Sequence, residues 1–388
     1  MKEDASLPKH ARFETRAIHV GQEFRAETGA VTPPIYMTST FESGNPGGFD
    51  YTRSGSPNFR NLQNTLASLE GAQYSTVFAS GVSAITAVAF SLKAGDTIVS
   101  ELNIYGCTYR LFERVLRKFG VTIRYVDLTN PENYAVIREV KPQLVWLESP
   151  TNPLLKILDI AAISAVAHEV DATVLVDNTF ASSLLQQPLA LGADLSLLST
   201  TKYSNGHSDC LGGAVCSNSA EWQEKMIFAQ KALGLQPSPF DAWLVSRGLK
   251  TERLRMEKHC ANALELAVRL EQHARVSSVS YPFLPSSPSY ELARRQMQGG
   301  SGMLLADFGL SWDGALQFMK KLRLFTQAES LGAVESLVAH PASMTHASIP
   351  KAEREAAGVT DGLIRFSVGI EHVEDLWEDL ERALQQMV

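Results

Sequence analysis

At 388 residues the chain is too long for one small domain, and two domains are expected. Its 45% hydrophobic and 20% charged content is ordinary for a soluble globular protein, and a net charge of −7 with no long basic run argues against nucleic acid as a partner. No apolar run is long enough to span a bilayer, MKEDASLPKH has no apolar signal core, and four cysteines are too few for a disulfide scaffold, so a cytoplasmic protein with no membrane partner is expected.

Residues 1 to 50 read as irregular, because Pro33, Pro34, Pro46, Gly44, Gly47 and Gly48 break any periodicity. Such a stretch suits an arm packed on something else. From there Phe59, Leu62, Leu66 and Leu69 recur at helical spacing. A strand–helix alternation follows. Apolar runs at 76–79, 97–100, 122–126, 144–148, 173–177, 195–199 and 213–216 predict strands, with helices at 82–93, 107–119 and 159–170 between them. This pattern predicts an α/β domain with a mainly parallel seven-stranded sheet. A helical region over 219–274, broken around 235–239, leads out of it, and its part 244–274 is expected to bridge two domains. Strands near Val279 and Tyr281 and at 303–308, 322–325 and 363–368, with helices at 313–321 and 373–387, predict a smaller C-terminal α+β domain. The expected division is an arm at 1–58, a large domain at 59–248 and a small domain at 249–388.

Ligands of parallel sheets gather at the carboxyl ends of the strands. The polar residues of this chain collect there: Ser80-Gly81, Tyr105, Glu148 to Asn152, Asp177 to Thr179, and Ser199 to Lys202. The stretch DLSLLSTTKYSNGHSDCLGG places three hydroxyls and Lys202 at one strand end. Hydroxyls suit a phosphate and a pocket lysine suits a Schiff base, although an arbitrary lysine is far more often exposed. Ser80-Gly81 opens a helix whose N-terminal N–H groups suit an oxyanion. Asp177 is either a turn residue or the partner of a buried cation such as a pyridinium. Tyr105 is either a turn tyrosine or a ring that stacks on a cofactor. Arg365, in an apolar strand, pairs either with an internal acid or with a ligand carboxylate. His207, Cys210 and Cys216 match no zinc spacing, and no metal site is expected.

Eight motifs in order resemble those of the Cys/Met-metabolism enzymes dependent on pyridoxal 5'-phosphate, the fold-type I transferase-like group of γ-synthases and γ-lyases. They are Tyr51-Thr52-Arg53, Ser80-Gly81, 105–110, 148–153, 176–179, 199–209, 328–332 and 340–346, with Arg365 after them. The resemblance runs from about residue 14 to the end. It implies that Lys202 bears the cofactor, that Asp177 pairs with its ring nitrogen, and that Tyr105 stacks on the ring. It further implies that Gly81, Val82, Ser199 and Thr201 hold the phosphate, that Thr179 also binds the cofactor, and that Tyr51 and Arg53 reach in from a neighbouring subunit. Asp50, Arg110, Asn152, Glu329, Ser330 and Arg365 would face the amino-acid substrate, with Lys202 and Tyr105 as the catalytic pair. A homotetramer built from two active dimers is implied as well. Two departures stand out: Val82 where methionine is common, and Asn58 where threonine is frequent.

The reaction rests on fewer residues. Cys107 is similar to the methionine γ-lyases. Asp50 and Glu329 are similar to the cystathionine enzymes, and two carboxylates suit a distal ammonium better than a thioether methyl. The expected activity is γ-elimination of cystathionine to cysteine, 2-oxobutanoate and ammonia, a trans-sulfuration step. Next comes γ-replacement on an O-acylhomoserine with cysteine, then γ-elimination of methionine. A non-catalytic regulator on the same fold is the reading from another class, but no basic helix-turn-helix module accompanies it.

Overall fold

The computed structural model describes residues 7, 10–22, 29–344, 351–356 and 358–387. Thr345 and His346, the end of one motif above, lie outside these residues. Seven strands form the larger sheet: β1 (Tyr74–Phe78), β2 (Thr97–Glu101), β3 (Thr122–Val126), β4 (Leu144–Glu148), β5 (Thr173–Asp177), β6 (Leu195–Leu198) and β7 (Gly213–Ser217). Their spatial order is β1-β7-β6-β5-β4-β2-β3. Only β7 runs antiparallel to its neighbours; the pairs from β6 to β3 are parallel. The sheet is therefore mainly parallel, as the alternation predicted.

The inner strands are continuous apolar runs because both faces are covered, so no polar face is needed. Helices Gly81–Ala89, Pro57–Glu70 and Ile160–His168 supply apolar faces to it. Trp146 of β4 is fully buried and meets the Phe112 ring edge-on at 5.3 Å, a geometry that adds about 0.5–1.5 kcal/mol beyond area burial.

A second, five-stranded sheet contains β8 (Ser278–Ser280), β9 (Met303–Asp307), β10 (Thr326–Gln327), β11 (Leu337–Ala339) and β12 (Leu363–Ser367), in the order β10-β11-β12-β9-β8. Helices Glu252–Glu271 and Val373–Gln385 pack with it around Leu266, Leu270, Phe366 and Leu380.

Three local expectations need correction. Residues 13–19 are a helix, Phe13–His19, within the arm expected to be irregular. Segment 322–325 is no strand: the Asp379 carboxylate takes the N–H groups of Arg323 (2.9 Å) and Leu324 (2.8 Å), which diverts them from any ladder. The strand begins four residues later, at Thr326. The helix expected over 244–274 is two, Pro239–Leu249 and Glu252–Glu271, broken at Thr251, whose hydroxyl donates to the Gly248 carbonyl at 3.2 Å. No helix among the described residues is long and apolar enough to cross a membrane.

Candidate active site

The carboxyl ends of the larger sheet open on a cavity of about 400 Å³. One wall is built by the helix start after β1. Ser80 caps that helix, its hydroxyl accepting from Ser83 N at 3.0 Å. The Gly81 and Val82 N–H groups have no carbonyl one turn back, as at any helix start. A Cβ on Gly81 would sit 2.8 Å from Ser199 Cβ, so only a bare backbone comes this close to the Ser199 hydroxyl. Gly81, Val82, Ser199 and Thr201 thus line one end of the cavity together. The Thr201 hydroxyl is also tied to Gly212, accepting from its N–H at 2.9 Å.

Asp177 stands at the end of β5, nearly fully buried. One carboxylate oxygen accepts from the Thr179 N–H (3.0 Å) and hydroxyl (2.5 Å). The Thr179 oxygen in turn accepts from Ser199 N at 2.9 Å, which links the ends of β5 and β6. The turn-residue reading of Asp177 therefore holds for one oxygen. Burial pushes its pKa up to about 6, because no cationic side chain among the described residues pairs with it. A cavity lined by a buried carboxylate, a helix N-terminus and two hydroxyls fits a phosphorylated pyridinium in its charge pattern.

Lys202 follows β6, with Nζ donating to Ser330 Oγ at 2.8 Å. Burial, aided by the nearby Arg365 charge, brings its pKa down to about 8. Ser330 has φ 115°, a conformation rare for a residue with a side chain; such strain gathers at functional sites. Arg365 comes from β12 and is buried. It donates to Asn152 Oδ1 (3.1 Å) and to the Ser330 carbonyl (3.2 Å). It has no ion-pair partner among the described residues, so the internal salt bridge is not found. Burial draws its pKa down to about 10, with Glu329 opposing. Tyr105 half-closes another side, and burial together with Cys107 raises its hydroxyl pKa.

Four expected site residues are not on this chain's own cavity. Asp50 accepts from Tyr51 N at 2.6 Å in the arm. Arg53 lies 5.5 Å from the centre of the Tyr51 ring and donates to the Lys231 carbonyl at 3.1 Å. Arg110 is exposed and donates to Cys107 Sγ at 2.8 Å. Conversely, the cavity includes Glu148, Phe180 and Leu331, to which no role had been attached. Glu148 had a readable signal: it ends β4 in register with Asp177 at the end of β5. Its Oε2 accepts from Tyr105 N at 2.7 Å, and burial beside Asp177 holds its carboxyl well above the usual range.

Residues 14–385 match the Cys/Met metabolism PLP-dependent enzyme family. A cystathionine gamma-lyase of Bos taurus is 47% identical over 384 residues, covering 98% of this chain and 95% of that protein. A cystathionine beta-lyase of Coxiella burnetii is 44% identical, covering 98% and 100%. The crystal structure of cystathionine gamma synthase from Xanthomonas oryzae pv. oryzae, in complex with aminoacrylate and cysteine, superposes with a TM-score of 0.93 at 44% identity, covering 97% and 98%. With its fold-type I architecture and full-length match, the chain belongs to the Cys/Met-metabolism family and is a pyridoxal-phosphate-dependent enzyme of trans-sulfuration.

Proposed function

We propose that this enzyme catalyses γ-elimination of cystathionine, giving cysteine, 2-oxobutanoate and ammonia. The observation that carries the reading is Glu329, which lines the cavity beside Ser330, Lys202 and Arg365. Arg365, which lines the cavity beside Asn152, binds the substrate α-carboxylate. A carboxylate at Glu329 then faces the far end of the substrate, where cystathionine carries its second ammonium. Gly81, Val82, Ser199 and Thr201 would hold the cofactor phosphate, and Asp177 would hold the ring nitrogen. When bound at Lys202, pyridoxal phosphate supplies a Schiff-base linkage and a sink for negative charge at Cα. With the cofactor in place, the Lys202 amine would be the base for the Cα proton. Its lowered pKa keeps a useful neutral fraction near neutral pH. Tyr105 remains protonated over that range and donates to the departing sulfur. Fixing the carboxylate at Arg365 orients the reacting bonds, a proximity effect.

Two other reactions have specific support. The γ-synthase resemblance supports γ-replacement on an O-acylhomoserine with cysteine. The beta-lyase relative supports β-elimination to homocysteine, pyruvate and ammonia. Steady-state assays with cystathionine alone distinguish them: 2-oxobutanoate with free cysteine is expected. Pyruvate with homocysteine, or fast turnover only with O-acylhomoserine plus cysteine, would overturn the γ-elimination. In the same preparation Lys202→Ala is expected to lose the yellow, borohydride-trappable linkage.

A further inference from the structure

The turn that carries Lys202 is held from the side of the second sheet. Within the turn, the Lys202 carbonyl accepts from Gly206 N at 2.7 Å and the Thr200 carbonyl accepts from Asn205 N at 3.0 Å. The buried carbonyls of Tyr203 and Ser204 find their partner elsewhere. Arg255, 4% exposed on helix Glu252–Glu271, donates Nη1 to the Tyr203 carbonyl at 2.6 Å and Nη2 to the Ser204 carbonyl at 3.4 Å. Nη2 also reaches the Gly248 carbonyl at 2.8 Å, and Nε reaches Thr251 Oγ1 at 3.2 Å. The guanidinium lies flush on Gly206, where φ is +71°: a Cβ there would fall 2.0 Å from Nη1.

The same helix grips the strand that bears Arg365. His259 Nδ1 lies 2.7 Å from the Val368 carbonyl, and Asn262 Nδ2 donates to the Gly369 carbonyl at 3.0 Å, both just past β12. The Tyr203 ring joins the two ends. It meets His259 edge-on at 5.3 Å, and its hydroxyl accepts from Gly302 N at 3.0 Å. One rigid helix therefore carries both the lysine turn and the arginine strand.

We propose that Arg255 is a positioning residue for Lys202. Its guanidinium fork fixes the lysine turn to the helix that holds the Arg365 strand, and so sets the reach from the lysine amine to a substrate anchored at Arg365. This rests on the reading that Lys202 bears the cofactor. A lysine at 255 would keep the charge but could not span four acceptors, since an ammonium is a point donor without a planar fork. A shift of about 1 Å in a reacting group, caused by a change far from the chemistry, costs roughly a hundredfold in rate.

The test compares Arg255→Lys and Thr251→Val with the unsubstituted holoenzyme, and with Arg253→Gln, a half-buried neighbour paired to Glu14 and Glu257, as control. Three quantities are read: kcat and KM, the pH midpoint of the bound cofactor's absorbance change, and the melting temperature. Arg255→Lys is expected to lower kcat by roughly a hundredfold with KM little changed, and to move the absorbance midpoint. Thr251→Val, which removes the Nε acceptor, should shift both in the same direction by less, and Arg253→Gln neither. Lower melting temperatures with kcat and midpoint unchanged would make Arg255 merely structural and overturn the proposal. If Arg255→Lys does not fold, an unmoved midpoint in Thr251→Val overturns it alone. Borohydride trapping of the unsubstituted protein, mapped to its peptide, checks Lys202 separately: trapping at another lysine would overturn the reading of the site itself.

Discussion

Asp177 keeps its proton to about pH 6 instead of the ordinary 3.8, because burial penalises its charged form. The sign of the consequence follows from proton counting. Between those two values the unfolded chain has released a proton that the folded chain still binds, so stability falls as pH rises through that window. Above it the cofactor-free protein carries the full cost, on the order of 3 kcal/mol. A cationic ring nitrogen would offset it. Asp177→Asn is therefore expected to raise the melting temperature of cofactor-stripped protein at pH 8, with little gain near pH 4, while weakening cofactor binding. Equal gains at both pH values would show that ionisation of Asp177 is not the cause.

At the scale of an element, the helix Gly81–Ala89 acts through its first turn. The close pass of Gly81 against Ser199 lets bare N–H groups and a hydroxyl face the same space. Gly81→Ala keeps helical backbone angles but drives a methyl into Ser199, so the helix start must withdraw. Loss of one hydrogen bond to a charged group, about 1.5–3 kcal/mol, corresponds to tenfold or more in affinity. Spectroscopic titration of stripped Gly81→Ala with pyridoxal phosphate is expected to show a weakening of that order in a folded protein. Unchanged binding would remove the phosphate from this helix. The break at Thr251 belongs to the same scale. Helical periodicity runs through it, and the interruption comes from hydroxyl and guanidinium bonds to the Gly248 carbonyl that no periodicity encodes.

The whole molecule raises the question of Tyr51 and Arg53. Both sit in the arm, outside their own chain's cavity, and Tyr51 is exposed. Exposed Leu211, Phe228 and Phe240 add apolar surface to this chain. We propose that arms exchange between subunits of a homotetramer of active dimers, so that Arg53 serves a neighbour's phosphate. The check is hybrid complementation. Lys202→Ala and Arg53→Ala proteins, each impaired alone, should regain activity when unfolded and refolded together, because some mixed dimers hold one intact site. No regain, or a monomer by light scattering, would sink the exchange.

Much of the site was legible in the linear chain because its parts are local. Apolar runs of strand length end in polar residues, and a parallel sheet must bring such ends to one edge. Ser80-Gly81, Tyr105, Asp177 and Ser199 to Lys202 could thus be placed together before any coordinates. The sequence by itself determined the mainly parallel sheet and the cofactor family. Only the tertiary structure decided that the Lys202 amine meets the Ser330 hydroxyl, that Arg110 stays outside, that Glu148 pins the Tyr105 turn, and that Arg255 grips the lysine turn. Those decisions depend on how two sheets pack and on which buried carbonyls lack a partner in their own strand or helix. Spacing along the chain carries the period of each element, whereas these contacts join residues far apart in sequence that only close packing brings within reach.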